Sequence, residues 1–131
     1  MQTLEKPTLK RSSVSGELVL GRTLVSLLDE ASEKYPNPTG FNDHTPQGWV
    51  ALSNTDFRKR AEHLALGLLD LGLQRGDKVG LLMHSDTQFC LADIACLIAG
   101  LVDVPIYLTH SPEAMKFILN QSESKGLVVS D

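Results

Sequence analysis

Four histidines, two cysteines and one carboxylate set in an apolar helix are the residues of this chain that invite chemistry. His84 and His110 each follow the end of a predicted strand, and ligands of open parallel sheets gather at the carboxyl ends of strands. The competing reading is a loop histidine bonded to backbone. His44 is isolated, and His63 sits beside Glu62 on what should be the wet flank of a helix. No HxxxH or HExxH pattern occurs, so no metal ligand is assigned. Cys90 and Cys96 are six positions apart in one apolar stretch. That spacing suits neither a CxxC motif nor a zinc pair, and it predicts buried free thiols in a reducing compartment. Asp93 is the only residue from Phe89 to Ala99 that is not apolar. A buried carboxylate is costly unless it is paired, so Asp93 is predicted to meet a basic side chain or a backbone N–H in a structural role.

Phosphate and nucleophile chemistry leave no trace either. Neither GxGxxG nor GxxxxGK[ST] is present, which removes a dinucleotide fingerprint and a P-loop. There is no GxSxG elbow. A receiver domain of this length would need acidic residues at its strand ends, where this chain has His84-Ser85-Asp86 and Tyr107-Leu108-Thr109. The sequence therefore assigns no catalytic, cofactor-binding or metal residue.

The elements that would position such groups are easier to read. Thr23 is placed to cap a helix running to about Tyr35, with Leu24, Leu27, Leu28 and Ala31 at helical spacing and Pro36 as the stop. Phe41 and the Trp49–Leu52 run flank a polar stretch, which predicts a β-hairpin with a long connection. Ser53 opens a second helix, with Asp56 as an acidic version of the capping box. Its apolar stripe is Phe57, Ala61, Leu64, Ala65, Leu68 and Leu71, and Gly72 ends it. Val79–Met83 reads as a strand covered on both faces. Asp86 caps the apolar helix that Gly100 closes. Val102–Tyr107 is the next strand, and Pro105 within it argues for an edge. Ser111-Pro112 starts a last helix, followed by a strand at Gly126–Val129. The fold class is α/β: a mostly parallel sheet of βαβ units, a preceding β-hairpin, and helices on both faces. The division is an irregular arm over 1–21 and an α/β subdomain over 22–131.

The bulk numbers fit a single ordinary domain. Hydrophobic residues are 42% and charged residues 21%, so the 131-residue chain can bury a core. A net charge of −4 with no basic stripe argues against nucleic acid. No apolar h-region or membrane span is visible, which predicts a cytoplasmic location and leaves room for a peripheral membrane contact.

Five signatures in order then point to one superfamily. Leu52-Ser53 through Phe57 resembles a "T/S-x-x-E-L" helix start. Leu71-Gly72-Leu73 with Gly76-Asp77-Lys78-Val79 resembles "LG(V/L)-x-x-GD-x-V". Ala99-Gly100 with Val104-Pro105 resembles "AG-x-x-x-VP". Leu119 to Ser122 and Leu127-Val128 resemble the segment that closes this region. Val104-Pro105-Ile106-Tyr107, Thr109 and Ser111-Pro112-Glu113 resemble "VPIYxTxSPE", although Leu108 stands where proline is common. Together, and with Ala92-Asp93, these resemble the N-terminal region of adenylate-forming acyl-CoA synthetases, most closely the long-chain fatty acid–CoA ligases.

That resemblance implies a two-step reaction. A fatty acid and ATP give an acyl-adenylate, and coenzyme A then displaces AMP. It also implies magnesium, a phosphate-holding loop, an acidic ribose ligand and a C-terminal lysine, none of which this chain contains. The expectation is an incomplete N-terminal subdomain of a larger ligase, inactive alone and without its own cofactor. An approach of the Tyr107–Ser111 loop to the active site of the whole enzyme is the less favoured reading. Other expectations remain: a different adenylate-former, such as an acyl-AMP ligase or a peptide-synthetase adenylation domain, or a stand-alone interaction module. A cut sheet should expose apolar surface near Phe89, Leu97 and the Pro105 strand, and so favour self-association.

Overall fold

The computed structural model describes residues 21–130, so the arm expected over 1–21 lies outside the described residues except for Gly21. Helix α1 spans Leu24–Lys34. Thr23 Oγ1 accepts from the Ser26 N–H at 3.1 Å, and Ser26 Oγ accepts from the Thr23 N–H at 2.9 Å. This reciprocal capping box satisfies donors that a helix start otherwise leaves unpaired. At the other end Asn54 acts as a clamp. Its Nδ2 donates to the carbonyls of Ala31 at 3.1 Å and Tyr35 at 2.9 Å, and its Oδ1 accepts from the Asn37 N–H at 2.8 Å. One side chain thus fixes the turn that leads into the hairpin.

Strands β1 (Phe41–Thr45) and β2 (Gly48–Leu52) form that hairpin, paired from Phe41↔Leu52 to Thr45↔Gly48. The expected long connection is in fact the pair Pro46-Gln47. Asn42, Asp43 and His44 read as a polar loop, yet they alternate as a strand. Asn42 and His44 point to solvent while Phe41, Asp43 and Thr45 are half-buried. Gly48 holds the left-handed backbone after the turn, at φ +117°.

Helix α2 spans Asn54–Asp70, capped by Ser53. Phe57, Ala61, Ala65 and Leu68 are its buried stripe, while Leu64 and Leu71 of the predicted stripe are exposed. Asp56 accepts the Ser53 hydroxyl at 2.8 Å, a variant of the expected capping box. Gly72 follows in the left-handed region at φ +95°, as a helix terminator should.

The parallel sheet comprises β3 (Lys78–Leu82), β4 (Val102–Pro105) and β5 (Gly126–Val129), in the order β4-β3-β5. The edge position expected for the Pro105 strand is observed, and Pro105 ends it two residues before Tyr107. Helices α3 (Thr87–Ala99) and α4 (Pro112–Ser122) are the crossovers. One crossover steps to the left of β3 and the other to the right. With a common right-handed sense, this places the two helices on opposite faces. On the first face Val79 and Leu81 pack into a core with Ala92, Ala95, Cys96, Ala65, Leu68 and Leu101. On the second, Gly80 lies against the side chains of Leu119 and Leu127.

The turn into β3 is tied to the start of β5. Asp77 Oδ1 meets Lys125 Nζ at 2.7 Å, and Asp77 Oδ2 accepts the Gln74 N–H at 2.8 Å. Lys125, then the Gln74 amide, holds the Asp77 carboxyl below the usual carboxylate range. Exposed apolar surface falls partly where expected: the Pro105 strand is open at Val102 and Pro105, whereas Phe89 and Leu97 are half-buried, and Phe117, Leu127 and Val129 stand open around α4 and the β5 edge. No helix among the described residues is long and apolar enough to cross a membrane.

Candidate functional site

The carboxyl ends of β3 and β4 open onto a cleft of about 270 Å³. Met83, His84 and Ser85 form one wall, the Pro105–Thr109 loop the other, and Phe89 the floor toward α3. The cleft exists because β3 feeds α3 on one face while α4, which follows β4, crosses on the other. Loops that part in this way leave a crevice above the sheet. Ser85 and Phe89 also line a wider open groove between the hairpin and the start of α3, with Gly40–His44, Asp86, Thr87 and Cys90. The two concavities therefore form one trough with Phe89 between its halves.

Hydrogen bonds fix the hairpin end of the trough. Thr87, buried at the first position of α3, donates its hydroxyl to Asp43 Oδ1 at 2.7 Å. Asp86 caps the same helix, accepting the Phe89 N–H at 3.0 Å. Two carboxylates thus occupy the positive end of the α3 dipole. No local sequence signal pairs Asp43 with Thr87, because the contact spans 44 positions.

The histidines singled out by sequence do not converge. His84 is exposed on the cleft wall, and its backbone N–H donates to Ser130 Oγ at 3.1 Å. His110 is half-buried beyond the cleft lining. Its ring stands edge-on to Tyr107 with centroids 5.4 Å apart. Its Nδ1 is buried without a hydrogen-bond partner among the described residues, so the expected backbone bond is not made by that atom. His44 packs edge-on against Trp49, and His63 is exposed. Among the described residues no group of three metal-ligating side chains occurs.

Asp93 corrects an expectation. Neither a cation nor a backbone N–H meets it among the described hydrogen bonds and ion pairs; the charged group that acts on it is the Asp103 carboxyl on β4. The physical reason is register. Asp103 sits opposite Val79, on the α3 side of the sheet, which brings two acids together across the helix–strand seam. Burial, and then Asp103, pushes the Asp93 carboxyl up. Cys96 lies in the same seam, fully buried, and burial with Asp103 and Asp93 pushes its thiol up to about 11. Burial likewise raises the half-buried Cys90, so neither thiol is an activated nucleophile.

Because its folded-state pKa is raised, Asp93 favours folding most below its unfolded-state range. That advantage is lost as the pH rises through the folded-state range. Asp93→Asn, which mimics the neutral acid, is therefore expected to stabilise the chain at pH 7 by a few tenths to about 1 kcal/mol. The gain should vanish near pH 4. Urea midpoints at the two pH values check this, and equal effects at both would contradict it.

The arrangement is one of shape without a catalytic set: an open α/β subdomain whose strand-end cleft is lined by no Lys, Arg, Asp or Glu. A family model described as "AMP-binding enzyme" matches residues 28–131. The chain belongs to the AMP-binding enzyme family. A long-chain fatty acid–CoA ligase of Drosophila melanogaster, heimdall, is 30% identical over 96% of this chain and 19% of its own length. A salicyl-AMP ligase of Mycobacterium tuberculosis is 32% identical over 85% of this chain and 20% of its own length. Among solved structures, the N-terminal domain of FACL13 from Mycobacterium tuberculosis superposes with a TM-score of 0.69 at 26% identity. That match covers 80% of this chain and 26% of the FACL13 chain. This AMP-binding chain thus spans about a fifth of the length of these curated relatives.

Proposed function

We propose that this AMP-binding chain is the N-terminal part of an ATP-dependent long-chain fatty acid–CoA ligase. The match to the Drosophila ligase along 96% of the chain carries the reading. The fragment supplies architecture: a capped, clamped α/β unit whose trough faces outward at the strand ends. The residues present do not fit the nucleotide. No lysine or arginine lines the trough. At its hairpin end two carboxylates would repel phosphates, and each is already engaged by a donor, Thr87 for Asp43 and the Phe89 N–H for Asp86. No adenylation step is therefore assigned to these side chains, and ATP, magnesium and coenzyme A belong to the remaining polypeptide.

The expected result is that the pure 131-residue chain catalyses no ATP–pyrophosphate exchange with any fatty acid. Exchange above the buffer blank, co-purifying with the chain through two columns, would overturn this assignment. The salicyl-AMP ligase match supports a second reading, an enzyme that releases or transfers the acyl-adenylate without coenzyme A. Assaying the product of the whole reading frame decides between them: acyl-CoA formation supports the ligase, and adenylate alone supports the alternative.

A further inference from the structure

The tip of the β1–β2 hairpin is built unlike the surface around it. From Thr45 to Thr55 the chain carries no charged residue. Trp49 is 72% exposed and Val50 56%, and Ala51 is exposed as well. Successive strand residues point to opposite faces, so the indole lies open on one side of β2 and the valine on the other. A protein partner laid on one face would leave the other in water. A lipid interface closes around a tip from both sides. The backbone of the tip is prepared for that transfer. Pro46 has no N–H, the Gln47 N–H donates to Thr45 Oγ1 at 3.3 Å, and Thr45 Oγ1 donates to the Gly48 carbonyl at 2.8 Å. Entry into a less polar medium therefore strands few unpaired groups. Asp43, the nearest acid along the strand, is half-buried and held by the Thr87 hydroxyl. Tryptophan itself suits a water–lipid boundary, with an apolar body and one N–H for the headgroup layer. We propose that this tip, Trp49 and Val50 foremost, inserts into the interface of a zwitterionic lipid bilayer and docks the chain there. Lipid charge adds no attraction, because the tip is neutral and the whole chain carries −4. Thr45 to Ala51 line neither half of the trough, so this role is independent of the ligase reading.

Trp49 is the single tryptophan of the chain, so its emission reports on this site alone. The test adds phosphatidylcholine vesicles to the 131-residue chain. A saturable blue shift is expected, with quenching by lipids brominated near the headgroup end of the acyl chain. Adding phosphatidylglycerol to the vesicles is expected not to strengthen binding. In vesicle co-flotation, Trp49→Thr should weaken binding by about tenfold or more and Val50→Thr by about threefold. Each removes apolar area from the tip and keeps a β-branched residue in the strand. Both positions are exposed, and circular dichroism checks that each variant is folded. Phe117→Gln, at the exposed surface of α4, should bind as the parent does. No lipid-dependent shift would overturn the proposal. So would a requirement for anionic lipid, a folded Trp49→Thr chain that floats normally, or a folded Phe117→Gln chain that no longer binds. A blue shift that follows protein concentration without lipid would assign the tip to a second copy of the chain, and would equally refute the lipid site.

Discussion

Replacing Phe57 with alanine is expected to lower the folding free energy by about 3–5 kcal/mol. Phe57 is 1% exposed and packs with Ala61 and Leu91 in a small core that Leu28, Phe41 and Leu52 complete. Those residues come from α1, the hairpin, α2 and α3, so the ring is where four elements meet. Its ring stacks on Phe41 with centroids 3.9 Å apart and planes 11° from parallel. Removing it leaves a cavity that none of the surrounding elements can close without losing a contact of its own. A domain of this size is stable by only about 5–15 kcal/mol, so the loss is a large fraction of the total. With a urea dependence of about 1–3 kcal/mol per molar, the midpoint should fall by about 2 M. Phe57→Leu should cost much less, because it keeps most of the volume. The Phe41→Ala, Phe57→Ala double-mutant cycle should return a coupling of about 0.5–1.5 kcal/mol. A midpoint that moves by less than about 0.5 M for Phe57→Ala would show that the hairpin is not held through this ring.

That contact bears on the trough as well as on stability. Phe41 opens β1, and Asp43 two residues later holds Thr87 at the start of α3. Loosening Phe57 therefore releases the strand that forms one wall of the groove. Both ends of this chain of contacts, Phe41 and the Asp86-capped helix, are legible in the sequence, and the link between them is not. Caps, stops and the period of apolar residues are local, and Thr23, Ser53, Asp86, Gly100, Ser111 and Pro112 all do what their chemistry predicts. The hairpin connection is shorter than its residues predict, because those polar residues satisfy a loop pattern and a strand pattern equally. The nearness of Asp103 to Asp93 is not legible locally, because it depends on the β3–β4 register, which no local rule fixes. The family was legible for a different reason: its signatures are turn and cap residues, such as Gly76-Asp77 and Ala99-Gly100, that the fold itself requires. Gly100 sits at φ +71°, and its amide neighbourhood receives Gly76, whose N–H donates to the Gly100 carbonyl at 2.8 Å.

Gly80→Val is the second change expected to act strongly, and it separates the two faces of the sheet. Gly80 lies in the middle of β3, the central strand, and is buried. A Cβ there would come within 2.8 Å of Leu119 Cδ2 and 2.9 Å of Leu127 Cδ1. Both atoms are the tips of leucine side chains, so alanine can be accommodated by rotamer shifts at a cost of about 1 kcal/mol. Valine adds two further methyl groups on a stiff χ1 and has no such escape. Overpacking of this kind costs about 1–3 kcal/mol, and the strain must go to the weaker neighbour. That neighbour is α4, which has no fully buried residue and leaves Phe117 65% exposed. The opposite face, where Val79 and Leu81 are sealed by α3 and α2, has no room to move. Hydrogen exchange in Gly80→Val should therefore speed up across Pro112–Ser122 while the protection of α2 and α3 changes little. A uniform loss of protection, or a valine variant as stable as the parent, would show that α4 is not held through this glycine.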